Sequence, residues 1–417
     1  MDGKELSYMM AVPKNVDDIM DADGIFERLE NISDAELISR NVKQNKAEID
    51  VVYKGVKYTV QFYVVAFNMP QMYRIQHLFP DLDAEAVENT EVGLGFIMEF
   101  SDNYLDSYHL QLKIIDAAVP EKLAVFDDSS EKVLSGKWAA MAAKSVVPPA
   151  PRYIYTVQAV LGENDSVWLH THGLNRCGIT ELEILDSSKD TYNIHYNVIE
   201  TMANRMLELD EPLEEMEPMF LARLSRDNIF VTTIVPWEKA VEMYKDDIIG
   251  GKKDRTEGHS ENTHVIFVYN SEEDFKSGNI RPVTDYTREL DENLIYMVTN
   301  AETARMAALA RERIEYLYKA VLNDENKALV KIALDVDDEY RDENNSKEHI
   351  WFLLKSFENG MLTCELTQEP YYVSGMHEGS TGTYGVNDVT DWIIYAPEYR
   401  ITPDDVYLME LECGRDD

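Results

Sequence analysis

Alternating hydrophobic and polar positions predict two β-hairpins in the first half of the chain. Residues 47–53 and 56–65 alternate in this way on either side of Lys54-Gly55, a dipeptide that favours a tight turn. Residues 153–160 and 166–172 repeat the pattern around a polar turn. Further strands are expected at residues 92–100, 123–126, 179–185, 229–235 and 264–269.

Helices are expected where apolar residues recur every three or four positions. This spacing predicts helices over residues 22–40, 104–118, 130–144, 197–209, 236–247 and 299–322. The last of these opens with Thr299 and Glu302, which match a capping box.

The C-terminal part contains short β-like segments and frequent glycines. The segments cover residues 349–357, 361–367, 371–373, 389–395 and 406–411. Asn359-Gly360 is a strong signal for a tight hairpin. The chain is therefore predicted to be α+β, with mixed or antiparallel sheets, packed helices and a small C-terminal antiparallel β module.

A chain of 417 residues is too long for one ordinary domain. Prolines at 148, 149 and 151 interrupt regular structure, which makes this segment a predicted boundary. We expect an N-terminal α+β domain at residues 1–147 and a central α+β domain at residues 148–298. A connector helix at residues 299–326 then leads to a β-rich module at residues 327–417.

The composition is strongly acidic, with 78 Asp and Glu against 39 Lys and Arg and a formal net charge of −39. Such a field opposes binding to nucleic acid and to anionic membranes, and it favours a cationic protein partner. A simply well-solvated acidic surface is the alternative. Three widely spaced cysteines form no disulfide framework, which predicts a reducing, cytoplasmic location. No signal peptide or membrane span is expected.

Candidate chemistry is concentrated in the second predicted hairpin. On a strand, His170 and His172 would point to the same side, about 7 Å apart at the backbone. Cys177 and Glu183 follow closely, so these four residues are candidate ligands for Zn²⁺. The alternative is that Trp168 and the two histidines pack against a helix, with their ring nitrogens hydrogen-bonded locally.

This segment resembles the JAB/MPN metalloisopeptidases, which carry His-x-His-Pro followed by Ser and Asp. His170 and His172 match the histidine pair, while Thr180 and Glu183 stand at the serine and aspartate positions and Gly173 replaces the proline. The resemblance implies a zinc-dependent hydrolase. That family also uses an upstream glutamate as general base, for which three residues remain open: Glu99, Glu131 and Glu163.

A wider resemblance rests on PPAP at 148–151, TVQAV at 156–160 and WLHTHGL at 168–174. These segments resemble DUF4026, an uncharacterised bacterial family. The tail, with EHIWF at 348–352 and VTDWIIY at 389–395, resembles the DUF2314 module. The resemblance implies a bacterial cytosolic protein, and modules similar to the tail resemble accessory or immunity-type domains.

Two hypotheses for the function follow from these observations. The chain lacks a complete catalytic constellation, and this favours a non-enzymatic protein-binding or accessory protein of the immunity type. The alternative is a zinc-dependent hydrolase of the JAB/MPN type that uses His170 and His172.

Overall fold

The computed structural model describes residues 4–43, 46–70, 73, 79–209, 211–224, 229–255, 259, 262–292, 300–323, 325–341 and 346–413. The chain forms two compact units. One contains Met1–Gly136 and Pro151–Met297, and the other contains Lys137–Ala150 and Val298–Asp417. Within the described residues, the first unit holds two β-sheets and the second holds one.

The first sheet is antiparallel and has the strand order β2-β3-β4-β5-β1-β6-β7. Its strands are β1 (Ser7–Pro13), β2 (Ala35–Lys43), β3 (Lys46–Tyr53), β4 (Val56–Ala66), β5 (Val92–Met98), β6 (Lys122–Asp127) and β7 (Lys132–Ser135). The accompanying helices are α1 (Asp17–Met20), α2 (Ala22–Leu29), α3 (Ala84–Glu88) and α4 (Tyr104–Ala118). Helix α4 is buried over most of its length and packs against α2 and β5.

The first predicted hairpin is confirmed as β3 and β4. Lys54 and Gly55 both adopt positive φ angles, of 47° and 82°, as a two-residue turn between twisted strands requires. The predicted helix at residues 22–40 is wrong in its second half. Helix α2 ends at Leu29, Asp34 turns the chain with a φ of 66°, and residues 35–43 pair with β3.

The predicted helix at residues 130–144 is also wrong in its first part. Glu131 has a φ of 51°, which a right-handed helix does not accommodate. Val133 and Leu134 are both fully buried in β7, and helix α5 (Gly136–Lys144) begins only after that strand. A strand buried on both faces lacks alternation, so its pattern is indistinguishable from that of a buried helix.

The second sheet has the order β11-β12-β13-β10-β9-β8, with β14 paired to β13. Its strands are β8 (Thr156–Leu161), β9 (Ser166–His172), β10 (Leu182–Ser188), β11 (Met219–Arg223), β12 (Ile229–Pro236), β13 (His264–Tyr269) and β14 (Arg281–Pro282). Only the β10–β13 pair is parallel among its described pairs. The helices are α6 (Tyr192–Met206), α7 (Trp237–Ala240), α8 (Glu272–Ser277) and α9 (Thr287–Glu292).

The second predicted hairpin is confirmed as β8 and β9. Helix α6 packs against β9 and β10. The side chains of Trp168 on β9, Phe267 on β13 and Trp237 on α7 belong to one hydrophobic core cluster. The helix predicted at residues 236–247 is too long. Helix α7 gives way to a short 3-10 turn, and Tyr244 is already extended.

The second unit contains an antiparallel sheet with the order β18-β17-β16-β15-β19-β20. Its strands are β15 (Lys327–Asp335), β16 (Lys347–Glu358), β17 (Met361–Leu366), β18 (Thr381–Gly385), β19 (Val389–Tyr395) and β20 (Arg400–Ile401). Helices α5, α10 (Asn300–Glu312), α11 (Ile314–Ala320) and α12 (Leu408–Cys413) belong to this unit. The Trp392 indole anchors α10 to the sheet by donating a 2.9 Å hydrogen bond to the Ala310 carbonyl.

The predicted α+β class and the C-terminal antiparallel module are confirmed. Residues 371–373 form no strand, and the strand predicted at residues 406–411 is wrong because α12 begins at Leu408. The predicted capping residue Thr299 lies outside the described residues. Arg313, with a φ of −99°, separates the predicted long helix into α10 and α11. No helix in the described ranges is both long and apolar enough to cross a membrane.

Candidate metal centre

The two histidines singled out from the sequence lie on β9, between β8 and β10. His170 pairs with Gln158 on one side and with Glu183 on the other. Because side chains alternate across a strand, His170 and His172 share a face with Trp168. The Nε2 atoms of the two imidazoles are 3.0 Å apart. The strand therefore makes the two rings converge.

A third imidazole, that of His259, completes the group. Its ring centroid lies 5.0 Å from the ring of His170 and 5.8 Å from that of His172. One ligand atom from each of the three residues lies within 4.8 Å of the other two. Sequence analysis missed His259 because it precedes β13 in a polar segment with no metal-ligand spacing. The predicted domain holds three further histidines, His195, His259 and His264, and the sequence does not distinguish His259 among them.

The environment keeps the strand histidines neutral. Burial, reinforced by the neighbouring His172, His259 and Arg255, lowers the pKa of His170 to about 2. Burial also lowers the pKa of His172, partly opposed by the carboxylate of Glu131. A neutral imidazole keeps one nitrogen lone pair free, and this is the form that binds metal ions.

Several nitrogens of the group are buried without a hydrogen-bond partner in the described structure. They are Nδ1 of His170 and both ring nitrogens of His259. A buried polar atom without a partner costs about 1–3 kcal/mol, so such atoms are rare in native interiors. Three such nitrogens lie within this one cluster.

A carboxylate from the first sheet reaches this group. Glu131 Oε1 lies 3.7 Å from Nδ1 of His172, on the side of the ring away from His170. The amide of Gln158 holds the other oxygen by donating a 2.7 Å hydrogen bond. Glu131 immediately precedes β7, so the two sheets of the first unit meet at the histidine group.

Glu183, a candidate ligand from the sequence, lies in a separate hydrogen-bonded arrangement. The Arg255 guanidinium donates two hydrogen bonds of 2.8 and 2.7 Å to its two oxygens. The indole of Trp168 donates another at 2.8 Å, and Thr263 donates a fourth. These donors occupy the carboxylate, and the structure does not bring it into the group of three histidines.

The Glu183–Arg255 ion pair packs against two tryptophans, one of which contacts the histidine group. Arg255 lies over the Trp237 ring at 4.2 Å and over the Trp168 ring at 5.1 Å. Trp168 in turn stacks on His170, with ring centroids 4.1 Å apart. The His259 ring also contacts Trp168, with ring centroids 5.0 Å apart, so Trp168 touches both the ion pair and the histidine group.

Cys177, another candidate ligand, is fully buried away from the three imidazoles. Its burial raises the pKa of the thiol to about 12, so the thiolate that binds metals is strongly disfavoured. The neighbouring Arg176 forms a bidentate ion pair with Asp127 at 2.8 Å, buried between the two sheets. This part of the hairpin therefore has a structural role.

The turn after His172 is fixed by a buried carboxylate. Glu181 accepts hydrogen bonds from the Thr171 hydroxyl at 2.6 Å and from the backbone N–H of Gly173 and Asn175 at 2.7 and 3.1 Å. Gly173 has a φ of 109°, and an added Cβ would lie 2.7 Å from the Ile154 carbonyl oxygen. Proline cannot adopt this angle, so the JAB/MPN-type proline is incompatible with this turn.

Comparisons with known families cover most of the chain. The profile described as Protein of unknown function (DUF4026) N-terminal matches residues 7–149, and its C-terminal counterpart matches residues 157–267. The profile described as Uncharacterized protein conserved in bacteria (DUF2314) matches residues 291–401. Comparisons with curated proteins and with solved structures give no match. The histidine group lies within the match to the C-terminal DUF4026 profile. The chain therefore belongs to the DUF4026 family and carries a DUF2314 domain.

Proposed function

We propose that the DUF4026 C-terminal domain of this chain is a zinc-binding domain. In this proposal His170, His172 and His259 each donate one nitrogen to a single Zn²⁺. The observation that carries the proposal is the convergence of three imidazoles within 4.8 Å, together with the buried ring nitrogens of His259, which have no hydrogen-bond partner among the described residues.

The spacing of the nitrogens supports zinc. Zn–N bonds of about 2.0–2.1 Å place the nitrogens of a tetrahedral site roughly 3.3 Å apart. The Nε2 atoms of His170 and His172 are already 3.0 Å apart, and a ring nitrogen of His259 lies within 4.8 Å of a ring nitrogen of each. Three neutral nitrogen ligands without thiolate suit Zn²⁺, while the hard oxygen-binding cations Mg²⁺ and Ca²⁺ are disfavoured.

The carboxylate of Glu131 supports the same assignment. A metal-bound histidine usually donates its second N–H to a carboxylate, which fixes the ring and raises its basicity. Glu131 lies beside Nδ1 of His172, so Nε2 of that ring is the nitrogen directed toward the metal. Of the three glutamates considered from the sequence, Glu131 is the one near the histidines. Glu99 borders a different cavity, and Glu163 lies in the turn before β9.

Three protein ligands leave one position of a tetrahedral zinc for water, which is the arrangement of catalytic zinc sites. Bound zinc lowers the pKa of such a water to about 7 and makes it a nucleophile for hydrolysis. We therefore favour a zinc-dependent hydrolase as the activity. The ligand set of this proposal differs from the JAB/MPN type, because His259 takes the place that the resemblance gives to Glu183.

Metal analysis of the purified full-length chain tests this proposal. We expect one zinc per chain, and loss of stoichiometric zinc in His170→Ala, His172→Ala and His259→Ala. His264→Ala is the matched control, since His264 lies on the neighbouring strand β13 and bonds Thr180 at 2.7 Å. Zinc that survives all three ligand substitutions, or its absence from the folded wild type at micromolar zinc, would refute the assignment.

Cobalt substitution tests the open fourth position separately. A Co²⁺ derivative with three imidazoles and one water should show the visible absorption of a four-coordinate site, and that spectrum should shift when azide or cyanate binds. A spectrum insensitive to small anions would mean that the fourth position is closed, in which case the metal is structural and the hydrolase activity is rejected.

A loop in the DUF2314 domain favours a second function, which is protein binding. Tyr371 is 80% exposed, and its ring contacts that of Tyr372, which in turn contacts Tyr340. The nearly buried carboxylate of Glu348 fixes this loop, because it accepts hydrogen bonds from the backbone N–H of Tyr371 and Tyr372 at 2.7 and 2.8 Å. Rigid exposed tyrosines are typical of binding surfaces.

This surface supports a non-enzymatic accessory or immunity-type role in the bacterial cytoplasm. With a net charge of −39, the chain attracts a cationic protein partner and repels nucleic acid and anionic membranes. We expect a fluorescent arginine-rich peptide to bind the full chain and Tyr371→Ala to weaken that binding at least about tenfold. Tyr395→Ala is the control, because Tyr395 is another exposed tyrosine of the same unit and lies on β19, outside this loop. Equal binding by the two variants would contradict this role.

A further inference from the structure

A small cavity on the first sheet has no role in the proposed zinc site. It opens above Gly95, the central residue of β5. Gly95 pairs with Met10 of β1 on one side and with Tyr63 of β4 on the other. The Tyr63 ring lies over Gly95, with its nearest atoms 3.5–3.7 Å from the position that a Cβ would take, and both residues line the cavity. The cavity has a volume of about 250 Å³.

The walls of this cavity are mainly aromatic. They include the following side chains: Tyr8, Tyr63, Phe67, Tyr73 and Phe126. Edge contacts fix part of the wall, because the Phe126 ring lies 5.5 Å from that of Phe67 and 5.4 Å from that of Tyr73. Aromatic faces are electron-rich and attract cations that approach within about 6 Å of the ring centroid.

A carboxylate gives the cavity a negative charge. Asp128 borders it, and no lysine, arginine or hydrogen-bond donor contacts that side chain among the described residues. The adjacent Asp127 differs, because Arg176 neutralises it. Desolvation and the nearby charge of Asp127 raise the pKa of Asp128 to about 6, which leaves it mostly ionised at neutral pH. Asp128 is exposed to solvent at the edge of the cavity, and a cation bound there would lie beside its negative charge.

Aromatic walls favour a quaternary ammonium group over a primary ammonium group. A primary ammonium group carries three N–H donors that lose water when the group enters an aromatic enclosure. A methylated quaternary ammonium has no such donors and places its charge against ring faces without that penalty. The cavity is below the usual size of sites for whole cofactors, so it suits a single head group.

We propose that this cavity is an aromatic cage for a quaternary ammonium group. Gly95 provides its floor, the tyrosine and phenylalanine rings provide its walls, and Asp128 provides the counter-charge. Both choline and a trimethylated lysine side chain present this group. The site is independent of the zinc proposal, since its residues lie on the first sheet and contribute nothing to the histidine group.

Calorimetric titration of the full-length chain tests the cage with defined probes. Choline and a trimethyllysine peptide are the two cationic probes, and whichever binds more tightly identifies the source of the ammonium group. The neutral probe is 3,3-dimethylbutan-1-ol, which has the shape of choline without its charge. We expect this alcohol to bind about tenfold more weakly than choline, as a cation–π contribution implies.

Matched variants locate the binding. Asp128→Asn should weaken choline binding about fivefold to tenfold, whereas Asp102→Asn, an exposed aspartate of the same unit, should leave it unchanged. Gly95→Leu should fill the cavity and abolish binding. If Gly95→Leu does not fold, Tyr8→Leu at the 42% exposed rim should still weaken binding severalfold. Equal affinity for choline and the neutral alcohol, identical effects of the two aspartate variants, or no binding by any probe overturns the proposal.

Discussion

The buried pair of Glu183 and Arg255 gives the sharpest test of how the candidate metal centre is built. If Glu183 anchors the segment that carries His259, Glu183→Gln should destabilise the fold but should not remove a metal ligand. If the carboxylate is itself a ligand, as the JAB/MPN resemblance implies, the same substitution should abolish zinc binding.

The expected magnitude follows from the burial of the pair. The Arg255 and Glu183 side chains are only 4% and 1% exposed, and the Arg255–Glu183 contacts are bidentate. Removing one charge from such a pair leaves the other buried and uncompensated, which typically costs about 3–5 kcal/mol. Part of the hydrogen bonding survives in the glutamine. We therefore expect the free energy of unfolding of the first unit to fall by about 3 kcal/mol.

Urea denaturation followed by tryptophan fluorescence measures this loss, because Trp168 and Trp237 both contact the Arg255 guanidinium. The double variant Glu183→Leu, Arg255→Met should recover only part of the stability, since an apolar pair replaces two desolvated charges while Trp168 and Thr263 lose their acceptor. Glu215→Gln, which breaks an exposed ion pair with Lys239, should cost less than about 1 kcal/mol. A Glu183→Gln variant as stable as this control, or one that folds normally but has lost zinc, would refute the reasoning.

Three further predictions concern the same unit. Burial lowers the pKa of His195 to about 4, so as the pH falls below the ordinary value of 6.5 the unfolded chain binds a proton that the folded chain resists. The contribution of His195 to stability should be fully present above pH 6.5 and should fall by about 2 kcal/mol by pH 5. Because His170 and His172 also have lowered pKa values, His195→Asn should reduce the pH dependence of the unfolding free energy by this amount, and an unchanged dependence would contradict the prediction. Gly173→Ala should cost about 2–3 kcal/mol, more than Gly55→Ala, because both have positive φ angles but only Gly173 has a carbonyl oxygen in the way of the added Cβ; equal losses would reject the clash. Cys177 should resist iodoacetamide in the native chain and react after denaturation, as peptide-resolved mass spectrometry would show; rapid native alkylation would contradict its burial and its raised pKa.

Local signals were sufficient for the hairpins and for helix α4. At Lys54-Gly55 the turn residues themselves fix the register of β3 and β4, so no distant contact is needed. Helix α4 matches its predicted residues 104–118, because Asn103 caps it and Pro120 follows its end. These elements carry their boundaries in their own sequence.

Other elements depend on partners that the local sequence does not reveal. Residues 35–43 contain good helix formers, yet they form β2 because β3 offers an edge for pairing. Strand β7 is buried on both faces, which removes the alternation that marks a strand. At the C-terminus, apolar residues 406–411 fit either structure, and tertiary packing selects helix α12.

The candidate site also contains residues that local sequence rules predict and residues that only long-range contacts bring into place. His170 and His172 were predictable as a pair because alternation on a strand is a local rule that places both rings on one face. His259 was not, because it lies outside the regular elements, and its contacts with the rings of Trp168 and His170 come from a part of the chain far from it in sequence. The sequence suggested Glu183 as a ligand since charge and proximity to the histidines are visible in the sequence, whereas the arginine that occupies it is 72 residues away. A carboxylate close in sequence to a histidine pair therefore indicates a metal ligand only when no buried cation binds that carboxylate. Long-range packing decides whether such a cation is present.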